Sequence, residues 1–311
     1  MKILVTGAAG FVGSHFCEAM LDNGHIVLGL DDFSTGSRVN LESFEKSSKF
    51  DFIEHDVRQY IDVSCDAIVN FACPASPVHY QSDPIRTIET TFVGTHNLLR
   101  LAAKNSIRIL QASTSEVYGD PLVSPQKESD WGNVNPVGIR ACYDEGKRAA
   151  ESLCFDYRRM HGLDVRVMRI FNTYGPRMAK HDGRVVSNFI VQALKGEDIT
   201  IYGDGLQTRS FCYISDLIAG ATSFLFHNTA IKTPINLGND HEFFIKDLAE
   251  LVIQKANSES KIIYLPLPQD DPKKRKPDLL LAHQTLNYFP KVELDEGINR
   301  TINYFKEVLN W

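Results

Sequence analysis

Tyr143 and Lys147 stand four residues apart in CYDEGKRAAES, within a stretch whose apolar spacing predicts a helix over residues 143–161. That spacing puts both side chains on one helix face. A phenol titrates near pH 10, and a neighbouring ammonium favours the phenolate, moving the group toward a usable general base. A second concentration of polar groups lies at ASTSEVYGD, residues 112–120, where Ser113, Thr114, Ser115 and Glu116 follow an apolar run. Thr114 there can hold a substrate oxygen beside Tyr143. Taken alone, Tyr-x-x-x-Lys is a frequent coincidence on surface helices, so its meaning depends on what the chain sets around it.

VTGAAGFVGSH places Gly7, Gly10 and Gly13 directly after a first strand and at the start of a helix over 11–23. In this G-x-x-G-x-x-G spacing the first glycine permits a tight turn and the second lets backbone N–H groups approach a pyrophosphate. The third lets the helix pack close on the strand. Phe11 and Val12 lie between the last two glycines, at the helix start that would face the phosphates. The second strand ends in Asp31-Asp32. A carboxylate there accepts hydrogen bonds from ribose hydroxyls and repels a 2′-phosphate, favouring NAD over NADP. Phe33, Ser34, Thr35 and Gly36 continue that loop and are assigned to the same end of the cofactor. Asp56 and Val57 follow the third strand, where adenine would lie. Phe71, Ala72 and Cys73 follow the fourth, along the cofactor's middle. A positively charged nicotinamide would add to Lys147 in favouring the Tyr143 phenolate.

Short β-branched runs (KILVT, HIVLGL, FDFIEH, DAIVNFA, IRILQAS, DVRVMRI) alternate with helical patterns at 11–23, 84–104 and 143–161. Such alternation implies βαβ units and a parallel sheet. The expected class is α/β, a doubly wound parallel Rossmann sheet with a smaller, interleaved C-terminal substrate-binding lobe. After about residue 171, loops rich in Gly, Asn and Pro interrupt shorter helices, while PINLGN at 234–239 reads as a strand returning to the sheet. The expected division is therefore 1–170, rejoined by about 211–240, for the dinucleotide, with 171–210 and 241–311 for the substrate.

The 311 residues are 43% apolar and 23% charged with a net charge of −6, which gives no electrostatic case for nucleic acid or an anionic membrane. The run Lys273-Lys274-Arg275-Lys276 is the exception, either a solvated loop or a contact for an anionic ligand. Six cysteines (17, 65, 73, 142, 154 and 212) are scattered without metal-ligand spacing, which points to a reducing compartment and no metal site. No secretory signal pattern precedes the first strand and no apolar run approaches the roughly 18 residues of a membrane span. The expected location is cytoplasmic.

ASTSEVYGDP, WGNVNPVGIRACYDEGKR, RIFNTYGPRM, DGRVVSNFI, YGDGLQTRSF and QDDPKKRKPD resemble the extended short-chain dehydrogenase/reductase superfamily over essentially the whole chain. Within it they are most similar to the UDP-glucuronate decarboxylases. The resemblance implies NAD as cofactor and Thr114, Ser115, Glu116, Tyr143, Lys147 and Arg275 as the catalytic set. The chain departs from that family's usual pattern at Cys73, where the family shows Ser, and at Asp32, where it shows Asn. Related nucleotide-sugar 4,6-dehydratases carry Asp at the position of Ser115, where it protonates a departing 6-hydroxyl. A serine cannot serve as that acid near neutral pH, and it spares space for a substrate carboxylate that an aspartate would repel.

The implied reaction takes UDP-glucuronate to UDP-xylose through a 4-keto sugar, with hydride returned to C4. A variant that releases the 4-keto pentose needs the same residues. The rivals are a UDP-sugar 4-epimerase, a dTDP-glucose 4,6-dehydratase or a non-catalytic NAD-sensing regulator, the last of which would need no Tyr143/Lys147 pair. For the nucleotide-sugar, the candidates are Tyr80 and Arg86 near a helix start, Asn172 after the sixth strand, and Val186 and Asn188 in RVVSNF, which offers backbone donors at a helix start. Tyr202 can stack on a uracil, and Gln207 and Arg209 stand in the same glycine-rich loop, with Arg209 suited to a diphosphate. Helices 84–104 and 143–161 carry apolar residues on more than one face (Ile88, Phe92, Leu98 and Leu99; Leu153, Phe155 and Tyr157). That surplus, with the resemblance, implies a homodimer paired through these helices.

Overall fold

The computed structural model describes residues 1–267 and 274–310; the start of the QDDPKKRKPD string, Lys273 included, lies outside them. Its first half runs β1 (Lys2–Thr6), α1 (Phe11–Asp22), β2 (Ile26–Asp31), β3 (Phe50–Glu54), β4 (Ala67–Asn70), α2 (Pro77–Ser82), α3 (Pro84–Asn105), β5 (Arg108–Thr114), α4 (Ala141–His161) and β6 (Val165–Ile170). There follow β7 (Thr173–Tyr174), α5 (Val185–Lys195), β8 (Ile199–Tyr202), β9 (Thr208–Ser210), β10 (Cys212–Tyr213), α6 (Ile214–Phe226) and β11 (Ile235–Leu237). The chain closes with β12 (Glu242–Phe244), α7 (Ile245–Ala256), β13 (Ile262–Leu265), α8 (Leu280–Leu286) and α9 (Leu294–Leu309).

Seven strands form a parallel sheet in the order β11-β6-β5-β4-β1-β2-β3. The chain winds outward from β1 in both directions, so the order reverses between β1 and β4. In sheets of this kind ligands bind at that reversal, beyond the carboxyl ends of the strands. Because side chains alternate across a strand, β1 feeds both faces. Ile3 and Val5 join a core with Phe16, Leu110, Met168, Leu217 and Phe224, while Leu4 joins Leu28, Ile68, Leu98, Leu99 and Val165 on the other side. The first core continues without a break into Phe189, Leu248 and Phe305 of the C-terminal helices.

The helix ends follow from local chemistry. The Asp83 side chain accepts from the Arg86 N–H at 3.0 Å and Pro84 opens α3, whose end is Ser106 at φ 53°. Gly162 at φ 64° ends α4. Beyond β6 the strands are short and pair outside the main sheet, β10 with β7, β12 with β9 and β13 with β8, while β11 returns to lie beside β6.

The apolar residues of α3 divide between two faces. Leu98 and Leu99 are fully buried against the sheet of their own chain, whereas Ile88 and Phe92 are 40% and 39% exposed. Only the latter kind can serve an interface.

The close contact of α1 with β1 hangs on one position. A Cβ on Gly13 would stand 2.0 Å from the Gly7 carbonyl oxygen, a backbone atom that cannot swing aside. Gly13→Ala should therefore destabilise the protein by about 1–3 kcal/mol or more and abolish dinucleotide binding. Urea melts and a binding titration check both.

Candidate active site

The glycine turn, the β2 end and the β4 end line one cleft, shared by Gly7, Gly10, Asp31, Asp32, Ala72 and Cys73. Gly7 sits at φ 70°, and a Cβ there would come within 2.8 Å of the Ala72 nitrogen. No side chain caps α1, so the amides at Phe11 and Val12 keep the open donors of a helix start. The two aspartates divide their work. Asp31 accepts from the Ala9 N–H and the Phe33 N–H, both at 2.9 Å, and burial raises its pKa. It thus ties the end of β2 to the glycine turn. Asp32 accepts from the Ser34 N–H at 2.9 Å and pairs with Arg86 at 2.8 Å.

Thr35 and the buried Val57 line the same cleft, and Gly36 packs against the Asp31 carboxylate. Asp56 is held by the Arg58 guanidinium at 2.7 Å, and Phe71 packs against Phe16 beneath the turn. An uncapped helix start facing a cleft, with carboxylates across from it, suits a dinucleotide diphosphate and ribose.

At the carboxyl end of β5 the Thr114 hydroxyl accepts from the Glu116 N–H at 3.2 Å and starts the turn Ser115–Tyr118. Ser115 is buried at its first position. Glu116 is 8% exposed, and its two oxygens lie 2.7 Å from Arg275 Nη2 and 2.9 Å from Arg140 Nη2. Burial would raise its pKa, but Arg275 and then Arg140 hold it below the ordinary carboxylate value. Arg275 also donates to Asn172 Oδ1 at 2.9 Å, and Arg209 adds to the field on Glu116.

Tyr143 is buried and stacks on Tyr80 with ring centroids 5.0 Å apart at 6°. The Thr114 hydroxyl lies near its phenol and favours the phenolate. Burial, reinforced by Cys73, pushes the Tyr143 phenol up, while the Lys147 ammonium donates to the Ala112 carbonyl at 2.9 Å and lies 5.8 Å from the Tyr143 ring centre.

The remaining candidates fall unevenly. Tyr80 and Asn172 join the Glu116 cluster. Arg86 does not; it sits on Asp32, at the cofactor's ribose end. The Val186 side chain is buried in the core, leaving only its backbone near the start of α5. The Asn188 amide already donates to Arg184 O at 3.0 Å, so it is no open donor. Tyr202 is 45% exposed, and Gln207 donates to its carbonyl at 2.6 Å. Lys276 pairs with Glu242 at 3.2 Å.

Three residues of the site carry no spacing signal and escape a reading of the sequence. Arg140 closes the second side of Glu116, Arg184 lies 5.6 Å from the Phe11 ring centre within the field of Tyr143, and Asp144 is buried within the field of Glu116 and Arg140.

A model of the "NAD dependent epimerase/dehydratase family" matches residues 3–238. The chain belongs to the NAD-dependent epimerase/dehydratase family. Among members of this family, UDP-glucuronic acid decarboxylase 1 of Xenopus tropicalis is 50% identical over 99% of this chain and 73% of its own length. UDP-glucuronic acid decarboxylase 3 of Arabidopsis thaliana is 49% identical over 100% of this chain and 90% of its own. Among solved structures, a UDP-glucuronic acid 4-epimerase from Bacillus cereus, in complex with UDP-glucuronic acid and NAD, superposes with a TM-score of 0.89. It is 30% identical, with 99% of this chain and 100% of that chain covered.

Asp144 gives the site a pH signature. Burial and the neighbouring Glu116 carboxylate raise its pKa to about 7. An acid whose folded pKa exceeds its unfolded value stabilises the fold at low pH and loses that contribution as pH rises through the folded value. Asp144→Asn should therefore gain stability relative to the parent between about pH 4 and 7, by a few kcal/mol at roughly 1.4 kcal/mol per pKa unit. Urea melts of both proteins at pH 5 and pH 8 measure it; a pH-independent difference would show that Asp144 titrates normally.

Proposed function

We propose that this protein is an NAD-dependent nucleotide-sugar decarboxylase that converts UDP-glucuronate to UDP-xylose through a 4-keto intermediate and returns hydride to C4. The observation that carries the reading is the Glu116 carboxylate held between Arg275 and Arg140, beside a neutral Ser115 and within reach of the Tyr143–Thr114 pair. That arrangement offers guanidinium groups to an anionic sugar and withholds the acid that dehydration needs. Identity near 50% to decarboxylases, over essentially the whole chain, supports it, against 30% to the UDP-glucuronic acid 4-epimerase.

In this reading residues 1–170 with 211–240 serve the cofactor, and 171–210 with 241–311 serve the nucleotide-sugar. Gly7, Gly10, Phe11, Val12 and Gly13 hold the diphosphate of NAD, Asp31 and Asp32 its ribose, and Lys147 its nicotinamide ribose. Bound NAD supplies the acceptor and donor of the C4 hydride and a positive ring charge that favours the phenolate. Tyr143, with Thr114 near its phenol, takes the proton of the C4 hydroxyl. The resulting ketone is β to the C6 carboxylate, so the C5–C6 bond can break with its electron pair delocalised as an enolate while carbon dioxide leaves. Glu116 and the two arginines orient the ring and manage the proton delivered to C5. Tyr143 returns its proton as C4 is reduced.

A homodimer built on α3 and α4 is part of the proposal, supported by the exposed Ile88 and Phe92. No helix among the described residues is long and apolar enough to cross a membrane; a cytoplasmic setting rests on the scattered cysteines alone.

Incubation with UDP-glucuronate and NAD tests the reading. Carbon dioxide release with UDP-xylose as product is expected. Epimerised UDP-galacturonate without carbon dioxide would replace the proposal by the epimerase alternative, and 340 nm absorbance that persists would mark release of the 4-keto pentose. Tyr143→Phe should cost on the order of 10²–10⁴-fold in rate while NAD affinity, read by titration, stays near the parent value.

Ser115→Asp tests the reason for decarboxylation over dehydration. Two unit charges about 4 Å apart repel by roughly 1 kcal/mol in water and about 4 kcal/mol at an effective dielectric near 20. The expected loss in kcat/KM for UDP-glucuronate is thus about 5- to 10³-fold, with binding of neutral UDP-glucose little changed. Unaltered UDP-glucuronate turnover would place Ser115 away from the substrate carboxylate.

A further inference from the structure

Arg275 reaches Glu116 from a chain segment far from it in sequence, and the position of its backbone decides whether the side chain arrives. That backbone is tied down by Gln126. The Gln126 N–H donates to the Lys276 carbonyl at 2.8 Å, and Gln126 Oε1 accepts from the Lys276 N–H at 2.8 Å. The Gln126 carbonyl then accepts from the Asp278 N–H at 2.8 Å, so the two segments form a short parallel bridge. Gln126 is only 1% exposed, and its own amide is held by the Val123 carbonyl at 2.8 Å.

The clamp is anchored to the catalytic end of the sheet. Fully buried Asn236, on β11, donates through Nδ2 to the Gln126 and Asp278 carbonyls at 3.0 and 3.2 Å. Its Oδ1 accepts from Tyr118, the last residue of the turn that carries Glu116. One chain of hydrogen bonds therefore links the Glu116 turn to the Arg275 segment without passing through either charged group.

We infer that Gln126 is a positioning residue that sets the register of Arg275 against Glu116, and that its side-chain oxygen fixes that register. The inference rests on Arg275 meeting substrate as in the proposed function, but the clamp itself is testable without turnover. The substitutions are Gln126→Leu, which keeps volume and removes the acceptor, and Gln126→Glu, which keeps the acceptor oxygen. A fully buried N–H left without its partner would weaken this bridge by roughly 5- to 150-fold; the Lys276 N–H is only partly buried, which sets the expected loss toward the lower end.

Hydrogen exchange at the Lys276 amide should accelerate in Gln126→Leu and stay near the parent rate in Gln126→Glu. KM for UDP-glucuronate should rise by 5-fold or more in the Leu variant and recover in the Glu variant, with affinity for UDP and NAD unchanged. In an Arg275→Lys background the Leu substitution should cost much less, because interacting sites are non-additive. An equal loss in both backgrounds, or unchanged exchange at Lys276, would overturn the assignment. Should the parent release no carbon dioxide from UDP-glucuronate, the functional reading fails while the exchange result still decides the clamp.

Discussion

Everything at the carboxyl edge of the sheet is arranged around a buried carboxylate that must not stand alone. Glu116 has almost no water to solvate it, and an uncompensated buried charge costs several kcal/mol. Arg140 and Arg275 remove that cost, but each comes from a different part of the chain. Arg140 stands directly before α4 and Arg275 follows β13. The site therefore exists only when the sheet, the helix after β5 and the C-terminal segments are all in register. Tyr143 and Thr114 are then placed next to a charged cluster whose net character is cationic, suited to an anionic sugar.

The same burial sets the chemistry's starting point. Low polarity around Tyr143 pushes its phenol up, and around Asp144 it keeps a carboxyl partly neutral near pH 7. Lys147 is close to Tyr143 but lodged on a backbone carbonyl at the end of β5. Asp31, by bonding two backbone amides, connects the cofactor cleft to the geometry of β2 rather than merely decorating its end.

The fold was legible because its signals are local and periodic. Strand runs alternating with amphipathic helices announce a parallel sheet, and the glycine spacing names the turn where it begins. Gly7, Glu116, Tyr143 and Asn172 stand out in short strings. Arg140, Asp144 and Arg184 do not, because their roles arise from tertiary proximity: an arginine three residues before Tyr143 looks like any helix-start cation until Glu116 is seen between it and Arg275. Arg86 shows the converse. Its sequence position near a helix start made it a nucleotide-sugar candidate, but Asp32, an acid where relatives of the resembled family show Asn, pairs with its guanidinium. Periodicity likewise reports that α3 is apolar on more than one face, but not which residues the chain's own sheet covers; the structure assigns Leu98 and Leu99 to the sheet and leaves Ile88 and Phe92 exposed.

The late arrival of Arg275 bears on how the chain is made. Synthesis runs from the N-terminus, and all but one strand of the parallel sheet is complete by Ile170, with β11 ending at Leu237. Glu116 and Arg140 have both been made by then, whereas Arg275 lies some forty residues beyond the end of β11. The nascent Rossmann half thus carries an electrostatic debt that only the last quarter of the chain settles. A ribosome stalling in that window, or a cut that removes residues beyond it, leaves a carboxylate with half its compensation inside an otherwise finished sheet. A fragment ending there keeps Arg140 beside Glu116 but lacks Arg275, so the charged cluster is complete only once the C-terminal segment is in place.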